Sequence, residues 1–240
     1  MPTGYNRACR PVSLFFMKPA RIAVQAHQHP VARKRGSYAP DVTRQALMDV
    51  SLELFSRRGF HTTTVQAIAQ RAGVTKGAFY HHFESKEDVL RQIHAAFAGE
   101  MVVGAREVSA QTNLRPAEQL RALIVRAVIS LGRHQRHVAV FYQEYRFLSG
   151  DSYAAIRAMH DEQEAIVLDV IDRGMEAGEL AADIEPKLLM FAISGMTAWI
   201  YQWYQPDGPL SLRAIAEQFA DIILDPVVTN RRRKNPSALA

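Results

Sequence analysis

The sequence predicts an all-α chain: an N-terminal three-helix unit built on a helix-turn-helix, then a larger helical domain. Three observations carry this. Beyond Asp41, apolar residues recur at helical spacing almost without a break, and no convincing run of alternating strand residues appears. The stretch 62–88, TTTVQAIAQRAGVTKGAFYHHFESKED, holds two short amphipathic segments joined by Ala72-Gly73-Val74. Near the C-terminus, segments 186–204 and 212–224 carry more apolar surface than one packing layer needs.

Composition bounds the reading further. At 240 residues the chain can bury a large core, as one domain or two. Cys9 is its single cysteine, which excludes a disulfide framework within one chain and makes the cytoplasm the natural compartment. No segment reads as a membrane span; 188–204 is apolar but short and carries Ser194, Thr197 and Gln202. The net charge of +5 is unevenly spread. Residues 1–40 hold seven Lys/Arg and no acid, 41–104 hold seven of each, 105–225 hold eleven basic and seventeen acidic, and 226–240 hold four basic. Four units follow: a disordered basic tail (1–38), the DNA-binding domain (39–85), the ligand-binding and dimerisation domain (86–225) and a basic C-terminal tail (226–240). The tails either add salt-dependent attraction to phosphates, with Arg33-Lys34-Arg35 as a minor-groove arm, or are solvated ends.

The first helix spans 42–58, with Leu47, Val50, Leu54 and Phe55 as its buried stripe and Gly59 as its stop. Thr63 is placed to cap the second, with Gln66 three residues on as in a capping box. Val65, Ile68 and Ala69 form its apolar face, and Gly73 ends it in a left-handed conformation. Thr75 caps the third, in which Phe79 and Phe83, four apart, bury together. Lys76, Gly77, Ala78, Tyr80 and His81 are left near an exposed face suited to a major groove. Lys76 can reach guanine O6 and N7, Gly77 permits close approach, and Thr64 and Thr75 offer hydroxyls to phosphates. Ser85 and Asp88 cap the fourth helix, which runs to Val108. Pro116 opens the fifth, which Gly132 ends. Helices over 138–148, 151–177 (stopped by Gly178), 186–204 and 212–224 (capped by Ser211) complete the chain.

Gly59-Phe60, the Thr-Thr-Thr run, Ile68-Ala69, Ala72-Gly73-Val74, Tyr80-His81-His82-Phe83 and Lys86 resemble the tetracycline-repressor (TetR) family of bacterial regulators over residues 42–97. The resemblance implies that Tyr80 contacts a phosphate and Lys86 clamps one. It also implies that the fourth helix is the lever between a ligand and the DNA, and that the last two helices pair in a four-helix bundle. Trp203, Leu212, Ile215, Phe219 and Ile222 are the expected dimerisation residues.

The ligand domain is less explicit. Phe141, Tyr142 and Tyr145 read either as core or as the wall of an apolar pocket. His160 and Gln163 are its candidate polar groups or satisfied interior residues, and Trp199 adds aromatic area. Trp199 to Gly208 resembles a motif of TetR regulators that respond to acyl-CoA thioesters, which implies an acyl-CoA or bulky apolar effector. No cofactor or metal is expected. His27 and His29, and His134 and His137, have suggestive spacings but lack further ligands. The expected function is a homodimeric regulator, a repressor that releases a palindromic operator on binding its effector. The rivals are an architectural DNA binder without effector and a helical enzyme. The latter lacks a nucleophile elbow, phosphate-binding glycine loop or metal cluster in the sequence.

Overall fold

A computed structural model describes residues 40–144 and 150–229. The expectations for 1–38, Tyr145 and 230–240 lie outside the described residues. Helix α1 (Pro40–Arg58) is already helical at Pro40, two residues before the predicted start. Leu47, Leu54 and Phe55 are buried, and Val50 packs against the same core.

Helix α2 (Val65–Ala72) corrects one expectation, because its cap is Thr64. The Thr64 hydroxyl accepts the Ala67 N–H at 3.1 Å. Thr63 is buried instead and donates to the Gly59 carbonyl at 2.8 Å, inside the loop that Gly59 turns with φ +82°. Gly73, at φ +71°, closes α2, and Val74 N–H bonds back to the Ala69 carbonyl. Helix α3 (Lys76–His82) is capped by Thr75, whose hydroxyl accepts the Ala78 N–H at 3.1 Å. Each such cap is worth about 1 kcal/mol.

Helix α4 (Lys86–Ser109) starts at the Ser85 cap and buries Val89, Leu90, Ile93 and Val102. The first core combines Leu47, Phe55, Ile68, Phe79, Phe83 and Leu90 with Val140 and Ile156 from later helices. The DNA-binding module is therefore packed onto the rest of the chain through apolar side chains.

Helix α5 (Pro116–Arg133) passes through Gly132, which does not stop it. Gly132 is buried, and the Leu212 side chain fills the space a Cβ would take. Close approach, rather than a left-handed turn, explains that glycine. Helix α6 is Gln135–Glu144, and α7 is Gly150–Glu176, with Gly178 beyond it at φ +68°.

The predicted single helix 186–204 is two, α8 (Pro186–Ala198) and α9 (Ile200–Trp203). Near the break, the Thr197 hydroxyl donates to the Ile193 carbonyl one turn back at 2.8 Å, a bond that bends helices. Helix α10 (Leu212–Leu224) is capped by Ser211. The packed chain continues past the boundary expected at 225. Val227 is buried, its carbonyl accepts the Ala181 N–H at 2.8 Å, and Thr229 N–H donates to the Glu179 carbonyl.

A second core joins α4, α5, α7, α8 and α10 through Leu120, Ile124, Val170, Ile171, Met190 and Ile223. Among the described residues no helix is long and apolar enough to cross a membrane.

Candidate DNA interface, effector pocket and dimer face

The reading face is set by what lies beneath it. Phe79 and Phe83 are fully buried with ring centroids 5.6 Å apart, which fixes the roll of α3. Thr75, Lys76, Gly77, Tyr80 and His81 are thereby turned outward, as is Thr64 at the start of α2. Tyr80 is 50% exposed, and the Lys76 ammonium stands 5.8 Å from its ring centroid. Gly77 is not required by the fold. A Cβ there would meet its nearest neighbour, Thr75 Oγ1, at an ordinary 3.8 Å. Arg57 and Arg71 both pair with Glu53 at 3.1 Å, so a single carboxylate offsets part of the charge of two arginines.

Lys86, the expected phosphate clamp, is bonded within the protein. Its ammonium donates to the Phe60 carbonyl at 2.7 Å, to Thr63 at 2.9 Å and to His61 at 3.5 Å, and sits 4.2 Å from the Phe60 ring centroid. A lysine ammonium has three protons, and all three have loop acceptors here. Lys86 fastens the α1–α2 loop to the start of α4.

The six pocket candidates separate. Phe141 and His160 come together, with centroids 5.0 Å apart, and Phe141 also meets Tyr142 edge-on at 5.5 Å and His94 of α4 at 5.2 Å. His94 is 2% exposed, and its Nε2 has no hydrogen-bond partner among the described residues. Burial, then the nearby His137 and His160, push its pKa down to about 4, so it is neutral at pH 7. Tyr142 and Trp199 also meet on Tyr201: Tyr142 stacks on it at 5.4 Å and Trp199 meets it edge-on at 6.2 Å, both about half exposed. Gln163 is half-buried on α7, and Tyr145 is outside the described residues. A separate groove of about 630 Å³ between α4, α5 and α10, with Met101, Val125, Ile129 and Arg126 in its lining, contains none of the six.

Among the described residues no group of three or more His, Cys, Asp or Glu is placed to hold a metal ion. His134 and His137 lie ring to ring at 5.4 Å, with Phe97 against both.

The expected dimer residues also divide. Trp203 and Ile222 are exposed, at 44% and 60%, and Phe219 packs against Trp203. Ile215 is not on that face; it is buried with Val128 and Ile200. Leu212 faces inward to Gly132. On and just after α8, Leu188, Phe191 and the C-cap residue Trp199 are 63%, 50% and 47% exposed. With Gly195 they recur at spacings of three and four, one face of a helix. A Cβ on Gly195 would meet nothing within 4 Å.

Sequence reasoning missed His94, Glu144 and the α8 stripe. His94 had a signal, since it interrupts the apolar run of Leu90, Ile93 and Phe97. Glu144 had none, because its partner is 84 positions away.

A seven-residue helix seated on two phenylalanines and presenting Lys76, Gly77 and Tyr80 defines a helix-turn-helix DNA-binding protein with a separate helical domain. The sequence matches "Bacterial regulatory proteins, tetR family" over residues 47–93 and "Tetracyclin repressor-like, C-terminal domain" over 113–227. It is 30% identical to the HTH-type transcriptional repressor KstR2 of Rhodococcus jostii RHA1 over 184 residues, covering 76% of this chain and 89% of that repressor. The structure of the ketosteroid transcriptional regulator KstR2 of Mycobacterium tuberculosis superposes with a TM-score of 0.72 at 28% identity, covering 78% of this chain and 95% of that one. AibR, solved with isovaleryl coenzyme A and operator DNA, superposes with a TM-score of 0.67 at 25% identity, covering 75% of this chain and 97% of AibR. The chain belongs to the TetR family of transcriptional regulators.

Proposed function

We propose that the protein is a homodimeric, cytoplasmic repressor that binds a palindromic operator and releases it on taking up a bulky apolar or acyl-CoA effector. In this reading residues 39–85 read DNA, while 86–225 take the effector and dimerise. The observation that carries the DNA reading is the outward set Thr75, Lys76, Gly77 and Tyr80 over the buried Phe79–Phe83 pair. Gly77, with no structural need for its missing side chain, fits a helix whose backbone must approach a base or phosphate. Thr64 and His81 flank the same face. The α8 stripe with Trp203, Phe219 and Ile222 supports an isologous contact between two copies. Two reading helices would then enter successive major grooves.

The effector reading is supported by similarity to an isovaleryl-CoA-bound regulator and a ketosteroid regulator. It is also supported by the aromatic pair Phe141–His160 beside the orphaned His94 nitrogen, a buried aromatic surround with a polar group to satisfy. The acidic middle of the chain, with seventeen acids to eleven basic residues over 105–225, gives an anionic coenzyme no broad attraction. An acyl-CoA would be held by placed groups.

The test is a DNA titration with the fragment upstream of the protein's own gene and a random fragment at several salt concentrations, with and without acyl-CoA thioesters. Selective binding relieved by a thioester is expected. Selective binding indifferent to every thioester removes the effector class, and an absence of selectivity at all salts removes the operator proposed here.

A further inference from the structure

Glu144 is the last described residue of α6 and is only 7% exposed. Glutamate is rarely buried unless it is satisfied, and a buried carboxylate is weak support for stability compared with an apolar side chain of equal volume. Glu144 Oε1 accepts the Phe60 N–H at 3.0 Å, across 84 positions of sequence. The other pole of the same residue, the Phe60 carbonyl, accepts from Lys86 at 2.7 Å. Phe60 is thus held from α6 on one side and from α4 on the other. Four residues on, Thr64 caps α2. Glu144 also lies 3.6 Å from where a Cβ on Gly59 would stand, and Gly59 keeps φ +82° in the same loop. One turn back on α6, Phe141 touches His94 and His160.

We propose that Glu144 is the positioning residue that couples the effector site to the DNA-reading helices, by holding or releasing the Phe60 N–H. The proposal rests on the effector-relieved reading above and adds its route. Val140, also on α6, packs into the DNA-module core. That apolar contact keeps the two parts docked, but it tolerates sliding because dispersion and burial have no preferred direction. The Glu144–Phe60 bond weakens steeply with distance and angle. A shift of α6 driven at Phe141 therefore registers at Phe60, and through the loop at Thr64 and α2.

Coupling is reciprocal, so DNA is itself a probe of the effector site. A duplex is selected from a random pool by the wild-type protein. Amide hydrogen exchange is then measured with and without that duplex for wild type, Glu144→Met, Glu144→Asp and Glu144→Gln. Met fills the same volume without an acceptor, so folding is retained, and thermal unfolding of each variant verifies this. Asp keeps the charge but is one methylene too short, and Gln keeps an acceptor at full length.

In wild type and Glu144→Gln, DNA is expected to slow exchange in α2–α3 and also in α6–α7. In Glu144→Met and Glu144→Asp the α2–α3 effect persists and the α6–α7 effect is lost. A purely stabilising role would lower the melting temperature and leave the remote effect intact, which overturns the proposal while sparing the effector reading. A wild type that responds only in α2–α3 has uncoupled sites, which overturns both.

Discussion

Lys86→Met separates two roles for the same ammonium. The methionine keeps the stem over the Phe60 ring and removes the three donors. Two of the lost bonds are short, at 2.7 and 2.9 Å. Hydrogen bonds to a charged group contribute roughly 1.5–3 kcal/mol each when buried. Lys86 is half-buried, so water can replace part of both. About 2 kcal/mol is the reasoned loss. For a unit of this size each kcal/mol moves the melting temperature by about 2–4 °C, so a fall of about 4–8 °C is expected by calorimetry. The salt dependence of DNA binding separates this from a phosphate contact. Each phosphate neutralised contributes about 0.9 to the slope of log affinity against log salt, so a Lys86 phosphate contact in both protomers would remove about 1.8. The loop role predicts weaker binding, through displacement of α2, with the slope unchanged. An unchanged melting temperature with a slope reduced by about 1.8 refutes the assignment and restores the clamp.

Three further outcomes follow from named contacts. Tyr80→Ala removes a half-exposed ring, so stability is expected to change by less than about 0.5 kcal/mol while operator affinity falls by about tenfold or more in a mobility-shift titration. Phe191→Arg places a charge on the exposed α8 stripe and is expected to shift sedimentation from dimer to monomer without unfolding the protomer. His94 is neutral when buried, with a pKa of about 4 against 6.5 when unfolded. The unfolded chain therefore binds the proton first. Stability from this group is complete above about pH 6.5 and lost as pH falls towards 4, up to about 3 kcal/mol, and denaturant titrations of His94→Leu across that window should show a flatter dependence.

Much of the DNA-reading half was legible because its determinants are local. Thr75, Ser85 and Ser211 cap helices by bonding an amide three residues on, and such bonds need no distant partner. Phe79 and Phe83 share a face by spacing alone, which also decides that Lys76 and Tyr80 point away. Thr63 was misread in favour of Thr64 because two hydroxyls stand side by side, and only the turn at Gly59 decides which of them faces inward.

The effector and dimer half was less legible, since helical period tells which residues share a face but not what that face meets. Segment 186–198 is apolar nearly all round, so no period marks Leu188, Phe191 and Trp199 as its outer side. Packing on α5, α7 and α10 buries Leu189, Met190 and Ile193 and leaves the stripe outside. Leu212 and Ile215 look like interface residues on α10 until Gly132, Val128 and Ile200 occupy that side.

The sequence by itself determined most of the helices, the caps at Thr75, Ser85 and Ser211 and the outward face of α3, because hydrogen bonds and apolar spacings within a few residues suffice for each. Only the tertiary structure decided that Lys86 serves the α1–α2 loop, that His94 is sealed beside Phe141 and that Glu144 reaches Phe60. Those outcomes depend on which groups are brought within hydrogen-bonding or van der Waals distance by segments far apart in the chain. Such contacts act over a few ångströms, and helical periodicity alone does not specify that distance.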